Sequence, residues 1–221
     1  MTQYDLQTIF TDGGFMMYPL IMCSLVALGI ILAKLWTLTI AHFSSVKLLE
    51  DLKDESLEGR INAVIETAES TKGPVAAILA HGLHRVRVRT EDDRGKGGAD
   101  IMRAINTAGV IELDFLERGM PVLRTVSNVA PMLGFLGTVV GMILAFQQIE
   151  SSGQVDPAMV AAGIKVALIT TATGLAVAIP VNVAYNYFVS RIDRLILDME
   201  EGAQAILRLI WGLDVPPRKV A

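Results

Sequence analysis

TVSNVAPMLGFLGTVVGMILAFQQI, residues 125–149, is a run of 25 positions without a charged side chain. VALITTATGLAVAIPVNVAYNYFVS, residues 166–190, is a second run of 25. About 20 apolar residues suffice for a helix to cross the hydrocarbon core, so each stretch predicts a transmembrane helix. Gly13 to Ala33 adds an uncharged run of 21 residues. It has no Lys or Arg before Lys34, and it exceeds the roughly 7–15 residues of a signal-peptide core. It is expected to be a retained helix.

The rest of the 221-residue chain agrees. Charged residues make up 19% and apolar residues 52%, against roughly 25% charged in soluble domains, and the mean hydropathy is +0.48. Cys23 is the single cysteine, so no disulfide framework exists. The formal net charge is −4, but its distribution says more than its sum. Twelve of the 19 basic residues lie between Ala41 and Arg124, and five follow Ser190. None precedes Lys34, and none lies between Glu150 and Val160. Lys and Arg mark the cytoplasmic side of short flanking loops. The expected order is therefore a periplasmic N-terminus (1–15), helix one (16–40), a cytoplasmic helical segment (41–124), helix two (125–149), a periplasmic loop (150–158), helix three (159–189) and a cytoplasmic C-terminal helix and tail (190–221).

The expected fold is an all-α membrane protein with three transmembrane helices and long cytoplasmic helical extensions. Ile101, Ile105, Ala108, Ile111, Phe115 and Val122 recur at helical period, with no evident stop before helix two, so one helix from about Asp100 to Ile149 is expected. Helix three continues through Leu195, Ile196, Met199, Ala203, Ile206 and Leu207 until Pro216-Pro217. Asp92 to Gly98 reads as a polar turn. Lys34, near the end of helix one, is expected to snorkel to the headgroups.

Helices two and three each carry a small face. Ser127, Pro131, Gly134, Thr138, Gly141 and Ala145 recur at steps of three and four. Val129, Leu133, Leu136, Val140 and Ile143 lie opposite. Thr171, Gly174, Ala178, Asn182 and Tyr185 share a side of helix three, flanked by Thr170 and Thr173. Small faces permit close helix approach inside membranes, and they also leave room for something narrow and polar. Such faces serve packing or pore lining alike. Pro180 removes a backbone donor in mid-span, which requires compensation from neighbours. Three helices are too few to enclose a lumen, so several copies are implied.

The strings Ala130-Pro131-Met132-Leu133-Gly134-Phe135-Leu136-Gly137-Thr138-Val139-Val140-Gly141 and Ala167-Leu168-Ile169-Thr170-Thr171-Ala172-Thr173-Gly174-Leu175-Ala176-Val177-Ala178-Ile179-Pro180, with Tyr185-Asn186 beyond, resemble the second- and third-helix signatures of the MotA/TolQ/ExbB proton channel family. Three spans favour its ExbB/TolQ branch. The resemblance implies a homopentameric ring in the inner membrane. It also implies an ExbD/TolR-like single-span partner carrying a proton-binding aspartate, and a TonB- or TolA-like protein driven by the motion. It makes Thr138 and Thr171 pore-lining, with Gly134, Gly141, Gly174 and Ala178 on the same surfaces and Pro131 and Pro180 as kink or packing sites. One departure stands out. The family string Gly-Ile-x-Glu-Ala-Leu reads here Gly163-Ile164-Lys165-Val166-Ala167-Leu168, so Val166 replaces a glutamate. Lys165, about 100° away on a helix, is expected to reach for the outer surface.

Other chemistry is weakly represented. His81 and His84 are three apart but lack a third ligand of matching spacing, and they are expected to be solvated. Arg85, Arg87 and Arg89 are basic enough to touch anionic lipid or a partner, but a solvated face is the expected reading. No phosphate loop, nucleophile elbow or dinucleotide fingerprint occurs. No catalytic residue, metal, cofactor or nucleic-acid partner is expected, and the chain is not expected to be an enzyme. A non-conducting membrane scaffold is the competing reading. A solitary transporter ranks lower, because no charged groups pair within the spans.

Overall fold

A computed structural model describes residues 10–54, 71, 73–87 and 97–211. Five helices make up the described chain: α1 (Met17–Asp54), α2 (Pro74–Arg87), α3 (Gly97–Glu117), α4 (Met120–Ser152) and α5 (Pro157–Trp211). No strand occurs among the described residues. Three stretches are long and apolar enough to cross a membrane: Met17–Ala41, Met102–Ser152 and Pro157–Gln204. The protein is an all-α, multi-pass membrane protein. At 1.5 Å per residue the 55 residues of α5 extend roughly 80 Å, well beyond the ~30 Å hydrocarbon core. Of the turn expected at 92–98, residues 92–96 lie outside the described residues, as does Pro216-Pro217, whereas Gly97 and Gly98 are not in a turn but open α3.

Two compact units form. The first takes residues to Ala33 together with Gly119–Tyr187. Gly14, at φ 65°, makes the turn before α1, and its carbonyl accepts from the Met17 N–H at 3.1 Å. Met17, Leu20, Ala130 and Ala178 form a buried cluster with Phe10, Leu133 and Val177 against it. Phe10 meets Tyr18 edge-on at 5.3 Å. The start of α5 follows from Asp156-Pro157. The Asp156 carboxylate accepts the Ala158 N–H at 2.9 Å, and proline at the first helical position lacks a donor that would be orphaned there anyway. At the other side of the loop, Gly153 (φ 67°) ends α4, its N–H reaching the Ile149 carbonyl.

The expected single helix from Asp100 to Ile149 is broken. α3 stops at Glu117, and Gly119 stands at φ 89° before α4 restarts with Pro121 in its first turn. A left-handed residue ends hydrogen bonding in one direction, and glycine adopts it without a Cβ penalty. Proline then cannot donate back across the break.

The second unit takes Lys34–Arg118 and the chain from Phe188. Helices α2 and α3 pack together here, and Val75, Ile78, Leu79, Ile105, Leu116, Phe188, Leu195 and Met199 supply its buried apolar residues. Lys34 corrects a second expectation. It does not reach outward: it is 8% exposed, and its ammonium donates to the Leu116 carbonyl at 2.7 Å. The last carbonyls of a helix have no partners of their own. The break at Gly119 creates such an end, and Lys34 satisfies it.

Candidate functional site

The region quoted from the sequence is where α4 and α5 meet. The contact is unusually close because its residues are small. A Cβ on Gly174 would stand 2.7 Å from the Ala130 carbonyl, and one on Gly134 would stand 2.9 Å from the Thr170 carbonyl. One on Gly137 would meet Thr170 Oγ1 at 2.5 Å. Backbone therefore lies against backbone, the arrangement small residues permit in membranes. Gly134, Gly141, Gly174 and Ala178 are all buried at this seam or beside it within one chain. Pro131 is half-buried and Pro180 exposed, and both lie inside unbroken helices.

Thr138 and Thr171 face each other across the seam with their hydroxyls in direct contact. Thr138 Oγ1 also lies 3.3 Å from the carbonyls of Gly134 and Ala167. Thr171 Oγ1 lies 3.2 Å from the Gly134 carbonyl. Each hydroxyl has one proton to donate. Two protons are thus shared among two helix carbonyls and the hydroxyls themselves. Both side chains are half-buried. The pair can donate and accept hydrogen bonds, but it does not ionise near neutral pH.

Thr170, read from the sequence as merely flanking, is the completely buried member of the trio. Its hydroxyl bonds back to the Val166 and Ala167 carbonyls at 3.0 Å, and its side chain fills the notch left by Gly137. The signal was available in Gly134, Gly137 and Gly141, spaced three and four apart.

In the first turns of α5, Lys165 meets Asp12, a residue of the N-terminal segment expected on the outer side. Its ammonium lies 2.5 Å from Asp12 Oδ2, with the two side chains 48% and 27% exposed. The contact is close but poorly angled, and that oxygen accepts no hydrogen bond of good geometry. The Gly14 turn rests nearby, where a Cβ would lie 3.9 Å from Val166 Cγ1. In the second unit His81 and His84 are both exposed. No group of three metal-ligating side chains occurs among the described residues.

Residues 70–201, more than half of the chain, match the MotA/TolQ/ExbB proton channel family. The chain belongs to this family. An ExbB homolog of Methanothermobacter thermautotrophicus, described as a biopolymer transport protein, is 32% identical over 91% of this chain and 71% of its own length. The biopolymer transport protein ExbB of Salmonella typhimurium is 28% identical over 92% of this chain and 88% of its own. The Tol-Pal system protein TolQ of Haemophilus influenzae is 45% identical over 42% of this chain and 40% of its own. The ExbB/TolQ branch is the one these relatives represent. Proton-channel or transport function comes with membership, and the family is of a non-enzymatic kind.

Proposed function

We propose that this chain is the ring-forming channel subunit of a proton-motive-force-driven motor in the inner membrane. The ring has five copies, its N-terminus is periplasmic and its helical extensions and C-terminus are cytoplasmic. The observation that carries the reading is the Thr138–Thr171 hydroxyl pair, set in spans that contain no Asp, Glu or His between Thr125 and Ile149 or between Val166 and Ser190. Proton transfer through hydrocarbon relies on ionisable groups. A hydroxyl pair with no acid of its own suits an acid brought by another polypeptide. An ExbD/TolR-like single-span helix bearing an aspartate is that partner, and the resulting motion drives envelope work through a TonB- or TolA-like protein. TonB-dependent transport is the first reading of that work; a Tol-Pal or gliding-type role is the alternative.

Multiplicity is supported by exposed apolar side chains. Met132, Phe135, Leu168 and Val183 are each 64–68% exposed, on helices that need lipid or further copies against them. Gly134, Gly141, Gly174 and Ala178 then act by closing the α4–α5 seam that holds the two threonines at the lumen.

A scaffold that conducts nothing is favoured by one observation: both threonine hydroxyls already have acceptors inside the chain. Proton flux into liposomes separates the readings. Flux is expected only when a single-span, aspartate-bearing partner is co-reconstituted. Sustained selective flux through this chain alone would refute the need for an external acid. No flux in either arm, with the complex assembled, would favour the scaffold.

A further inference from the structure

A hollow of about 540 Å³ in the second unit is walled by Trp36, Ile40, Ala41, Phe115 and Leu116. Trp36 is 73% exposed, Phe115 54% and Ile40 47%, so a substantial apolar wall stands open. It begins at the last residues of the Met17–Ala41 span, where a tryptophan matches the membrane–water interface. A second hollow, about 630 Å³, adjoins it, and His81 and Glu112 line both. The apolar wall therefore leads to a histidine on α2 and a carboxylate on α3.

Both of these groups accept hydrogen bonds. His81 Nδ1 lies 2.8 Å from the Ala77 carbonyl. A carbonyl only accepts, so Nδ1 carries the proton and Nε2 of the neutral ring is an acceptor. Glu112 is half-buried, and among the described residues its carboxylate takes no hydrogen bond or ion pair. The charged side chains on the wall of the first hollow are Lys34 and Glu112. Their signs are opposite, so neither an anion nor a cation is drawn in. The Lys34 ammonium is committed to the Leu116 carbonyl. Arg103 lines the second hollow but is engaged within the chain and takes no part. What the junction lacks is a pair of donors, and a neutral molecule supplies them at the least desolvation cost.

We infer that this hollow binds a hydroquinone-type lipid, one O–H donating to the Glu112 carboxylate and the other to His81 Nε2. Phe115, three residues from Glu112 and so on the same face of α3, offers its ring to the aromatic head. The apolar tail runs along Ile40 and Trp36 to the membrane span. Continuity with that span makes the bilayer the source of the ligand. Two acceptors beside an aromatic ring distinguish a hydroquinone from a plain alcohol or a bare acyl chain. The site does not involve Thr138 or Thr171.

The test uses the full-length protein purified in mild detergent, delipidated, and offered a decyl-substituted benzoquinone in its reduced and oxidised forms without oxygen, with bound ligand read by native mass spectrometry. The two forms share ring and tail, but only the reduced one donates. The reduced form is expected to bind about tenfold more tightly, the scale of one hydrogen bond to a charged acceptor. Glu112→Leu and His81→Phe should each weaken the reduced form and leave the oxidised form unchanged, which a collapsed hollow would not do. Trp36→Ala should weaken both forms equally. Asp114→Asn, at an exposed carboxylate of the same helix paired with Arg118, should change neither. Circular dichroism and mass confirm that each variant is folded and assembled. Equal binding of the two forms by wild type, or a Glu112→Leu variant that keeps the preference, would overturn the site. Dodecanol competing as well as the reduced form would overturn the hydroquinone assignment. Exclusion of every ligand, with cross-links between copies at Trp36, would overturn it too and show that a second copy fills the hollow.

Discussion

The ammonium of Lys34 on α1 donates to the Leu116 carbonyl at 2.7 Å, near the last residue of α3, and the contact is buried. It joins two helices 82 positions apart in the chain at the point where the helical path breaks before Gly119.

Lys34→Met should therefore destabilise the protein. A hydrogen bond with a charged donor contributes about 1.5–3 kcal/mol, and the variant leaves a buried carbonyl without its partner. The expected outcome is a lower midpoint in thermal unfolding, with more rapid proteolysis. An unchanged midpoint would mean that water or a neighbour takes over the carbonyl.

Gly137→Ala should be disruptive, although it adds one methyl group. The new Cβ would lie 2.5 Å from Thr170 Oγ1, and overpacking a tight seam costs about 1–3 kcal/mol. Gly29→Ala is the control, with nothing within 4 Å of its Cβ; it should be neutral or slightly stabilising, given alanine's better helix propensity. Assembly yield and thermal midpoint compare the two. Equal effects would contradict the close approach of α4 and α5.

Thr138→Val and Thr171→Val each keep side-chain volume and delete a hydroxyl. Partner-dependent proton flux should fall in both while the complex remains assembled. Thr170→Val tests the alternative, since among the described residues its hydroxyl bonds only to carbonyls of its own helix: flux should survive. If the first two variants fall apart and the third does not, the hydroxyl pair serves packing.

Asp12 and Lys165 offer a charge-exchange test. Exposed pairs contribute roughly 0–1 kcal/mol, so Asp12→Asn and Lys165→Gln should each cause a small loss. Asp12→Lys combined with Lys165→Asp should recover it, as a double-mutant cycle would show. Additive losses in the exchanged pair would mean that the two charges do not act on one another.

Much of the helix map could be read in advance because length and hydropathy are local properties. Runs of 21 to 25 uncharged residues have few other uses, and the small faces of helices two and three were visible from spacing alone. The break at Gly119 was equally local, a glycine two residues before Pro121, but the apolar stripe from Ile101 to Val122 continues across it and masked it. Thr170 was undervalued because three threonines stand within four positions, 170, 171 and 173. Only the rotation of α5 against α4 decides which one is buried.

By itself, then, the sequence determined that this is a helical membrane protein with two small-faced spans carrying hydroxyls and no acid. Those features rest on residue inventory and on periodicity along one helix. Tertiary structure decided which hydroxyls meet, that Lys34 turns inward and that Lys165 finds Asp12. Each of these joins positions far apart in the chain, and the partner of a lysine or threonine is set by the placement of another helix, which local periodicity does not encode.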